Sequence, residues 1–404
     1  MLTIKNTTQL LKNWDALQIE KHCVFQFLSN RNINYTDSRF LSDYFTGFEK
    51  IDSLINRVNS LKINTLKKLE NCLELIIPTQ DRKLNGAFFT PNYIVDFIIH
   101  TIAPQKNDAN LDPSCGSGAF LVGLLNYYKQ IHGKKIKATV RENIYGVDLM
   151  GYNIRRAKLI LIIYALMHDE ILDNEDFNLQ VQDSIRADWD ALFLPLQQFD
   201  NVIGNPPYVK FQDLPDENRK YLAKNSKISN NGTFNLYFSF FELGYNLLKD
   251  KGKLGYITPN NYFTSLAGEP LRAYFQDKKC VFRIIDFKDK KVFDAQTYTA
   301  LTFLNKKKNE EVLYDRIPNN LAPEDFTKKV NGSPNKIDAL NPKKWRLLKS
   351  SEQENIKIIE NTGTPIGKLF TIATGVATLK DEVYFLNTLQ TSGDYYIKDF
   401  EGKK

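Results

Sequence analysis

The sequence predicts an α/β protein built on a doubly wound, mostly parallel sheet of seven strands. From residue 84 onward, short apolar segments alternate with longer segments of helical periodicity. Strands that alternate with helices run parallel, and such sheets bind ligands beyond the carboxyl ends of their strands. The seventh strand follows the sixth after a short loop, so we expect it to pair antiparallel. The predicted strands are residues 110–112, 144–148, 179–183, 199–204, 253–258, 281–287 and 299–305.

The helices predicted to cover this sheet have apolar residues at three- and four-residue steps, as in 118–130, 153–167 and 234–248. Residues 1–83, ahead of the sheet, are also predicted to be helical. Their apolar face includes Phe40, Tyr44 and Leu54. We find no catalytic constellation in this region and expect a helical cap that packs on the next domain or contacts a partner.

The composition changes after residue 305, where the predicted catalytic domain, residues 84–305, ends. Residues 306–362 begin with three lysines and are rich in Asn, Pro and Lys, which is typical of a linker or of an elaboration at the domain edge. Globular patterning resumes in residues 363–404. These residues are too few for an independent domain of ordinary size.

Composition indicates an intracellular protein without metal or disulfides. The 404 residues carry a formal net charge of +7, which suits a polyanionic partner without requiring one. The four cysteines and four histidines are dispersed, so we expect neither a disulfide framework nor a metal site, and a reducing cytoplasm fits. We see no signal peptide and no apolar run long enough to span a bilayer, so no membrane association is expected.

The turn after the fourth strand carries the most specific chemistry. Asn205, Pro206, Pro207 and Tyr208 follow residues 199–204 directly. Asn205 supplies an amide oxygen and Pro206 a backbone carbonyl, while neither proline has an N–H that competes for these acceptors. Two acceptors beside an aromatic ring suit an exocyclic amine on a planar ring. The alternative is a proline turn after a core strand.

The ends of the first three strands carry groups that suit a nucleoside with an amino-acid tail. The turn from Asp112 to Gly118 is rich in glycine, and its backbone can approach a ligand closely. Asp148 ends the second strand, where an acid can accept both hydroxyls of a ribose, and Asp183 ends the third, where it can accept an adenine amine. The alternatives are a structural glycine turn and acids that cap helices or face solvent.

In this order, these motifs resemble the N6-adenine-specific DNA methyltransferases of the gamma arrangement, which include type II and type IIG restriction–modification enzymes. Residues 86–91, Gly-Ala-Phe-Phe-Thr-Pro, resemble the first family motif. The turn from Asp112 to Gly118 resembles the S-adenosylmethionine motif, and residues 205–208 resemble the catalytic motif. The resemblance covers residues 84–305 and implies the S-adenosylmethionine-dependent methyltransferase fold.

The resemblance also implies roles for single residues. Thr90 and the glycine turn should hold the methionine portion of S-adenosylmethionine, Asp148 its ribose and Asp183 its adenine. Phe240 should flank that adenine, although an aromatic residue at helical spacing is also typical of a core. Tyr208 and Phe293 should stack on the target base. In the glycine turn, the residues that the resemblance implies for cofactor binding are Asp112, Pro113, Cys115, Gly116 and Gly118.

The implied reaction is methyl transfer from S-adenosylmethionine to N6 of an adenine flipped out of double-stranded DNA, the modification activity of a restriction–modification system. Lys210, Arg219, Lys220, Lys224 and Lys227 follow the catalytic turn and are placed to contact phosphates. Residues 364–375 resemble the opening of a target-recognition domain, so we expect either a truncated copy or a separate recognition or restriction subunit. The alternatives are a protein glutamine methyltransferase and a non-catalytic DNA-binding or assembly component.

Overall fold

A computed structural model describes residues 10–76, 90–229, 233–288, 292–293, 298–318 and 321–371. The chain divides into two compact units, Met1–Ser350 and Ser351–Lys404. The first unit is an α/β domain around one mixed sheet with helices packed on it, which confirms the predicted fold class. Within the described ranges, no helix has the length and apolar character needed to cross a membrane.

The sheet has nine strands, two more than expected. The spatial order is β3-β2-β1-β4-β5-β7-β6-β8-β9. The first five strands in this order, β3, β2, β1, β4 and β5, are parallel to one another. Strand β7 is antiparallel to both β5 and β6, as the sequence predicts. The strands are β1 (Asn110–Asp112), β2 (Ile144–Asp148), β3 (Asn178–Val181), β4 (Phe199–Gly204), β5 (Leu248–Pro259), β6 (Val281–Asp286), β7 (Thr299–Asn305), β8 (Glu311–Arg316) and β9 (Ser333–Lys336).

The two additional strands come from the segment predicted as a linker or an edge elaboration. β8 pairs parallel with β6, and β9 pairs antiparallel with β8. In β8 the buried residues Val312 and Tyr314 alternate with the exposed residues Glu311 and Leu313. Because β8 buries one face only, it lacks the continuous apolar run that marks the central strands.

Helices cover both faces of the sheet. Ile203, Ile257 and Leu301 pack on one face, together with residues of α1, α4, α5, α6 and α8. Tyr256 and Ala300 pack on the other, with α11 and α12. The helices of this unit are α1 (Ala16–Asn30), α2 (Arg39–Tyr44), α3 (Asp52–Ser60), α4 (Leu66–Leu75), α5 (Asn92–Ile102), α6 (Ala119–His132), α7 (Ile136–Asn143), α8 (Gly151–Leu166), α9 (Trp189–Leu192), α10 (Asp216–Asn225), α11 (Leu236–Asn246) and α12 (Glu269–Lys278).

The N-terminal helices are attached to the sheet domain by a buried ion pair. Glu20 of α1 is fully buried, and its Oε2 accepts from Arg156 Nε of α8 at 2.6 Å. Its Oε1 accepts from Arg155 Nη2 at 3.0 Å and from the Tyr44 hydroxyl at 3.2 Å. A carboxylate at this depth is tolerated only with such partners. The pair therefore joins α1 to α8.

Two cysteines that are 49 residues apart in sequence meet between α1 and α4. The Sγ atoms of Cys23 and Cys72 lie 3.3 Å apart, and both are buried free thiols. Their contact packs α4 against α1 within the same apolar core.

The second unit begins with α13 (Ser350–Thr362) and continues to α14 (Ile366–Leu369). The segment predicted to open a target-recognition domain, residues 364–375, lies only partly within the described residues, because 372–404 lie outside them. The boundaries predicted at 83, 305 and 362 stay predictions.

Candidate active site

The glycine-rich turn leads from β1 into α6 along the edge where the parallel strands end. Gly116 has φ +52°, a conformation that a residue with a side chain rarely adopts. Its N–H donates to Asp148 Oδ2 at 2.9 Å, and Cys115 N donates to Val147 O at 3.0 Å. The turn is thereby tied to the end of β2. Burial raises the pKa of the Cys115 thiol, which is therefore neutral.

Gly118 lies where α6 packs closely against α8. Its φ is +95°, and it is the N-cap residue of α6. A Cβ at this position would lie 3.3 Å from Cβ of Ala157 in α8, which is tighter than ordinary van der Waals contact. Gly118 is absent from the cavity wall described below, unlike the other turn residues predicted to hold the cofactor.

Asp148 is held in a single orientation by three donors. Its Oδ1 accepts from Met150 N at 2.9 Å and from Asn153 Nδ2 at 3.0 Å, while Gly116 N donates to Oδ2. Burial raises the pKa of this carboxyl, and the three donors oppose the shift. Oδ2 has only one of these donors, so it keeps capacity to accept a ligand hydroxyl.

Asp112 is the most strongly perturbed acid of the site. Burial raises the pKa of its carboxyl to about 8, and the nearby charge of Asp148 adds to the shift. Ser114 N donates to Asp112 Oδ1 at 3.0 Å. A Cβ on Gly204 would lie 2.6 Å from the same oxygen, so a side chain at the residue before Asn205 would displace Asp112. Perturbed acids of this kind are typical of functional sites.

Asn205 is held on two sides. Its Nδ2 donates to Thr90 Oγ1 at 3.1 Å, and its backbone carbonyl accepts from Ser114 Oγ at 3.3 Å. Thr90 lies just ahead of α5, and Ser114 lies in the turn after β1. The turn at residues 205–208, predicted to be catalytic, therefore contacts both segments predicted to hold the methionine portion. Residues 86–89 of the first motif lie outside the described residues.

Tyr208 and Phe293 lie against each other. Their ring centroids are 6.3 Å apart and their planes are inclined by 66°. The Tyr208 hydroxyl donates to Ile257 O at 3.1 Å, and burial raises the pKa of this phenol. In this edge-to-face contact no base fits between the two rings. The two rings would have to rotate and separate to admit a base.

The strand-end groups surround one cavity of about 410 Å³. This volume lies in the usual range of small-molecule sites. Pro206, Tyr208, Gly118 and Phe293 are not in its wall. The residues predicted for the site that do line it are Thr90, Asp112, Pro113, Cys115, Gly116, Asp148, Asp183, Asn205, Pro207 and Phe240.

Sequence reasoning missed several other residues of the cavity wall. Leu149 is 59% exposed although it is a large apolar side chain, and Asn153 fixes Asp148. Glu74 and Tyr221 enter the wall from α4 and α10. An apolar residue directly after a strand-end acid could have indicated Leu149. Nothing local indicates Glu74, which comes from a helix before the sheet.

The segment after the catalytic turn closes one side of the cavity. Arg186, three residues beyond Asp183, donates to Glu217 Oε1 at 2.6 Å and to Asn218 Oδ1 at 2.7 Å. Its guanidinium also lies over the Tyr221 ring, 5.3 Å from the centroid. These contacts attach α10 to the loop after β3, where Asp183 Oδ1 accepts from Ile185 N at 3.0 Å.

The basic residues of this segment are partly engaged within the protein. Arg219 pairs with Asp216, and its guanidinium lies 5.3 Å from the Phe211 ring centroid. At Lys227 it is the backbone N–H, and not the ammonium group, that donates to both oxygens of Glu242, at 3.0 and 3.1 Å. Lys210, Lys220 and Lys224 complete the set predicted to contact phosphates, and that role stays a prediction.

Comparison with known proteins agrees with this geometry. Residues 142–293 match the model of the Eco57I restriction-modification methylase family. The chain is 26% identical over 391 residues to the type II restriction enzyme and methyltransferase RM.Eco57I of Escherichia coli, covering 81% of this chain and 39% of that protein. It is also 26% identical to the type II methyltransferase M.AccI of Acinetobacter calcoaceticus, covering 80% of this chain and 57% of the relative. The chain thus spans about half the length of these relatives.

Solved structures share the fold. The type IIG restriction endonuclease BpuSI aligns with a TM-score of 0.61 at 16% identity, over 86% of this chain and 46% of that one. A class I S-adenosylmethionine-dependent methyltransferase from Listeria monocytogenes aligns with a TM-score of 0.50 at 20% identity, over 78% and 93%. These comparisons agree with the resemblance seen in the sequence. Residues 142–293 match the model of the Eco57I restriction-modification methylases, and the chain has the fold of the S-adenosylmethionine-dependent methyltransferases.

Proposed function

We propose that the chain transfers a methyl group from S-adenosylmethionine to N6 of an adenine in double-stranded DNA, as the modification activity of a restriction–modification system. The observation that carries the proposal is the position of Asn205, which lines the same cavity as the acids at the ends of β1 and β2. The fold and the family comparison support S-adenosylmethionine as the methyl donor and DNA as the acceptor. Adenine as the target base rests on the Asn-Pro-Pro-Tyr turn alone.

The cavity residues fit S-adenosylmethionine, which supplies an electrophilic methyl group on a sulfonium. Its wall includes the strand-end carboxyl groups of Asp112, Asp148 and Asp183, and they suit a ligand with two cationic centres, a ribose and an amine. The apolar side chains of Leu149 and Phe240 suit a flat base. We assign Asp148 to the ribose, Asp183 to the adenine amine, and Thr90 with the turn after β1 to the methionine portion.

Asn205 and Pro206 would act on the amine of the target adenine. The N6 lone pair is delocalised into the ring, which makes this nitrogen a poor nucleophile. When Asn205 Oδ1 and the Pro206 carbonyl accept the two amine hydrogens, they favour a more tetrahedral nitrogen with a localised lone pair. With S-adenosylmethionine bound, the lone pair of this nitrogen would form the new N–C bond to the methyl carbon. The electron pair of the C–S bond that breaks would pass to sulfur. An N6 proton leaves afterwards to solvent.

Tyr208 and Phe293 would receive the flipped base. An adenine inside a duplex cannot reach Asn205, so it must leave the stack. Because the two rings contact each other, they would part to accept the adenine between them and replace its lost stacking. The two rings in contact keep the pocket filled until a base enters.

Labelled S-adenosylmethionine and duplex DNA test the proposed function. We expect label in N6-methyladenosine after digestion of the DNA and nucleoside analysis. Label in cytosine would contradict adenine as the target, and label on a glutamine of an added protein would favour the protein methyltransferase. If the cofactor binds and the DNA stays unlabelled, recognition requires further residues or a separate subunit, as the partial coverage of the relatives would allow.

The pKa of Asp112 predicts a pH-dependent affinity for the cofactor. Its carboxyl has a pKa of about 8, so at neutral pH it is protonated in the free protein. A cationic ligand stabilises the ionised form, so binding must release a proton below that pKa. We expect affinity to rise by up to about tenfold per pH unit toward about pH 8 and then to level off. Calorimetric titration from about pH 6 to about pH 9 measures this.

The matched variant is Asp112→Asn, which keeps an acceptor for Ser114 N but cannot ionise. It should bind S-adenosylmethionine more weakly and with a flat pH profile over this range. A flat profile in the unaltered protein would show that Asp112 does not face the cationic part of the ligand.

A further inference from the structure

The N-terminal helical region reaches the catalytic turn through α4. We propose that Lys67 of this helix is a positioning residue for Asn205 and acts through Thr90. The inference rests on the proposed function, because it concerns the residue that would hold the target amine. It assigns a part in methyl transfer to a region in which the sequence shows no catalytic group.

Lys67 joins α4 to Thr90. Its ammonium donates to Glu70 Oε1 at 3.0 Å and Oε2 at 3.2 Å, and to the backbone carbonyl of Thr90 at 3.2 Å. Glu70 lies one helical turn further along α4 and is only 2% exposed. A buried carboxylate holds an ammonium firmly, because its own charge needs a partner. The direction of Lys67 toward Thr90 is therefore set by a buried residue of the same helix.

Thr90 passes this constraint to the catalytic turn. It is 4% exposed, its carbonyl accepts from Lys67, and its Oγ1 accepts from Asn205 Nδ2 at 3.1 Å. Because Nδ2 and Oδ1 belong to one planar amide, the bond to Nδ2 also sets the direction of Oδ1. A displacement of the Thr90 backbone would therefore change the position of the acceptor meant for the target amine.

The face of α4 that carries Lys67 and Glu70 is turned toward the site. Residues three and four positions apart lie on one helix face, and Glu74, four residues after Glu70, lines the cavity. α4 itself is packed against α1, which the buried pair of Glu20 and Arg156 holds on α8. The helical region is thus packed on the sheet domain and contacts Thr90 through Lys67.

Adjacent lysines offer a matched test. Lys68 lies next to Lys67 on α4, but its ammonium donates to Lys62 O at 3.3 Å and to Asn64 Oδ1 at 2.8 Å, away from Thr90. We expect Lys67→Met to lower the single-turnover rate of methyl transfer about tenfold, since misplacement of a reacting group by about 1 Å costs on the order of 10²-fold. Lys68→Met should match the unaltered protein. Because Thr90 is also assigned to the cofactor, affinity for the cofactor should fall in Lys67→Met by a smaller factor than the rate, and it should stay unchanged in Lys68→Met.

Lys67→Met leaves Glu70 buried without its ammonium and can reduce folding. The double variant Lys67→Met with Glu70→Met removes both charges and keeps the packing, so it should fold and show the same loss of rate. Thr90→Val should also lose rate because it lacks the hydroxyl, and Thr90→Ser should restore it. If cofactor affinity falls while the single-turnover rate holds, or if the double variant transfers methyl like Lys68→Met, Lys67 does not position Asn205.

A measurement without cofactor or DNA separates this inference from the proposed function. The side-chain amide resonance of Asn205, assigned by its loss in Asn205→Asp, should shift or broaden in the double variant and stay unchanged in Lys68→Met. An unchanged resonance in the double variant would overturn the positioning role. A protein that places the methyl group on cytosine or on a protein glutamine but shows the shift would overturn the proposed function and keep the contact.

Discussion

Asn205→Ala is expected to lower the single-turnover rate of methyl transfer by a factor on the order of 10² to 10³, the usual effect of removing one polar group that acts on the transition state. The substitution removes Oδ1, one of the two acceptors that would localise the lone pair of N6. The cofactor should bind with nearly unchanged affinity. The acids that would hold it come from other elements, and Asp148 has its own donors in Gly116, Met150 and Asn153.

The matched control is Asn225→Ala at the end of α10, where the amide donates only to Tyr221 O at 2.8 Å among the bonds that the structure describes. This variant should keep the full rate. Rates are measured with saturating cofactor and DNA in a single turnover, and cofactor affinity by calorimetric titration. An Asn205→Ala protein that keeps most of its rate would show that the amine is activated in another way.

Glu20→Ala is expected to destabilise the first unit by about 3–5 kcal/mol, the usual cost of removing one partner from a buried ion pair. Arg156 is 4% exposed and would be left without the carboxylate that its Nε contacts at 2.6 Å. Arg155 is more exposed, with 41% of its side chain accessible, and can turn toward water. The loss should therefore come mainly from Arg156.

Urea unfolding followed by circular dichroism measures this loss. Asp43→Ala, which removes an exposed carboxylate on the neighbouring helix α2, should change the free energy of unfolding by less than about 0.5 kcal/mol. The double variant Glu20→Leu with Arg156→Met should recover most of the stability, because it leaves no charge in the core. A Glu20→Ala protein as stable as Asp43→Ala would mean that the N-terminal helices do not depend on this pair.

Local patterns in the sequence predict the seven strands and the three motifs. The strands at 144–148, 199–204 and 299–305 have the predicted bounds because each is a short, largely apolar run, and the strand at 110–112 because it ends at the glycine-rich turn. The cavity wall contains eight of the nine residues predicted to bind the cofactor, Gly118 being the exception. This common location follows from topology, since parallel strands deliver the residues after their ends to one edge of the sheet, and the cofactor roles of these residues stay predictions.

Other features depend on contacts between residues that are distant in sequence. Strand β8 shows no continuous apolar run because it buries one face only, and Glu74 and Tyr221 reach the cavity from helices that carry no motif. The contact between Tyr208 and Phe293 joins two segments 85 residues apart in sequence. The sequence by itself determined which residues end β1, β2, β4 and β7, whereas β3 ends at Val181, two residues before the predicted end at Asp183. Only the tertiary structure decided that α4 supports Asn205 and that Asp112 is buried deeply enough to stay protonated, because packing across the fold sets burial and long-range hydrogen bonds.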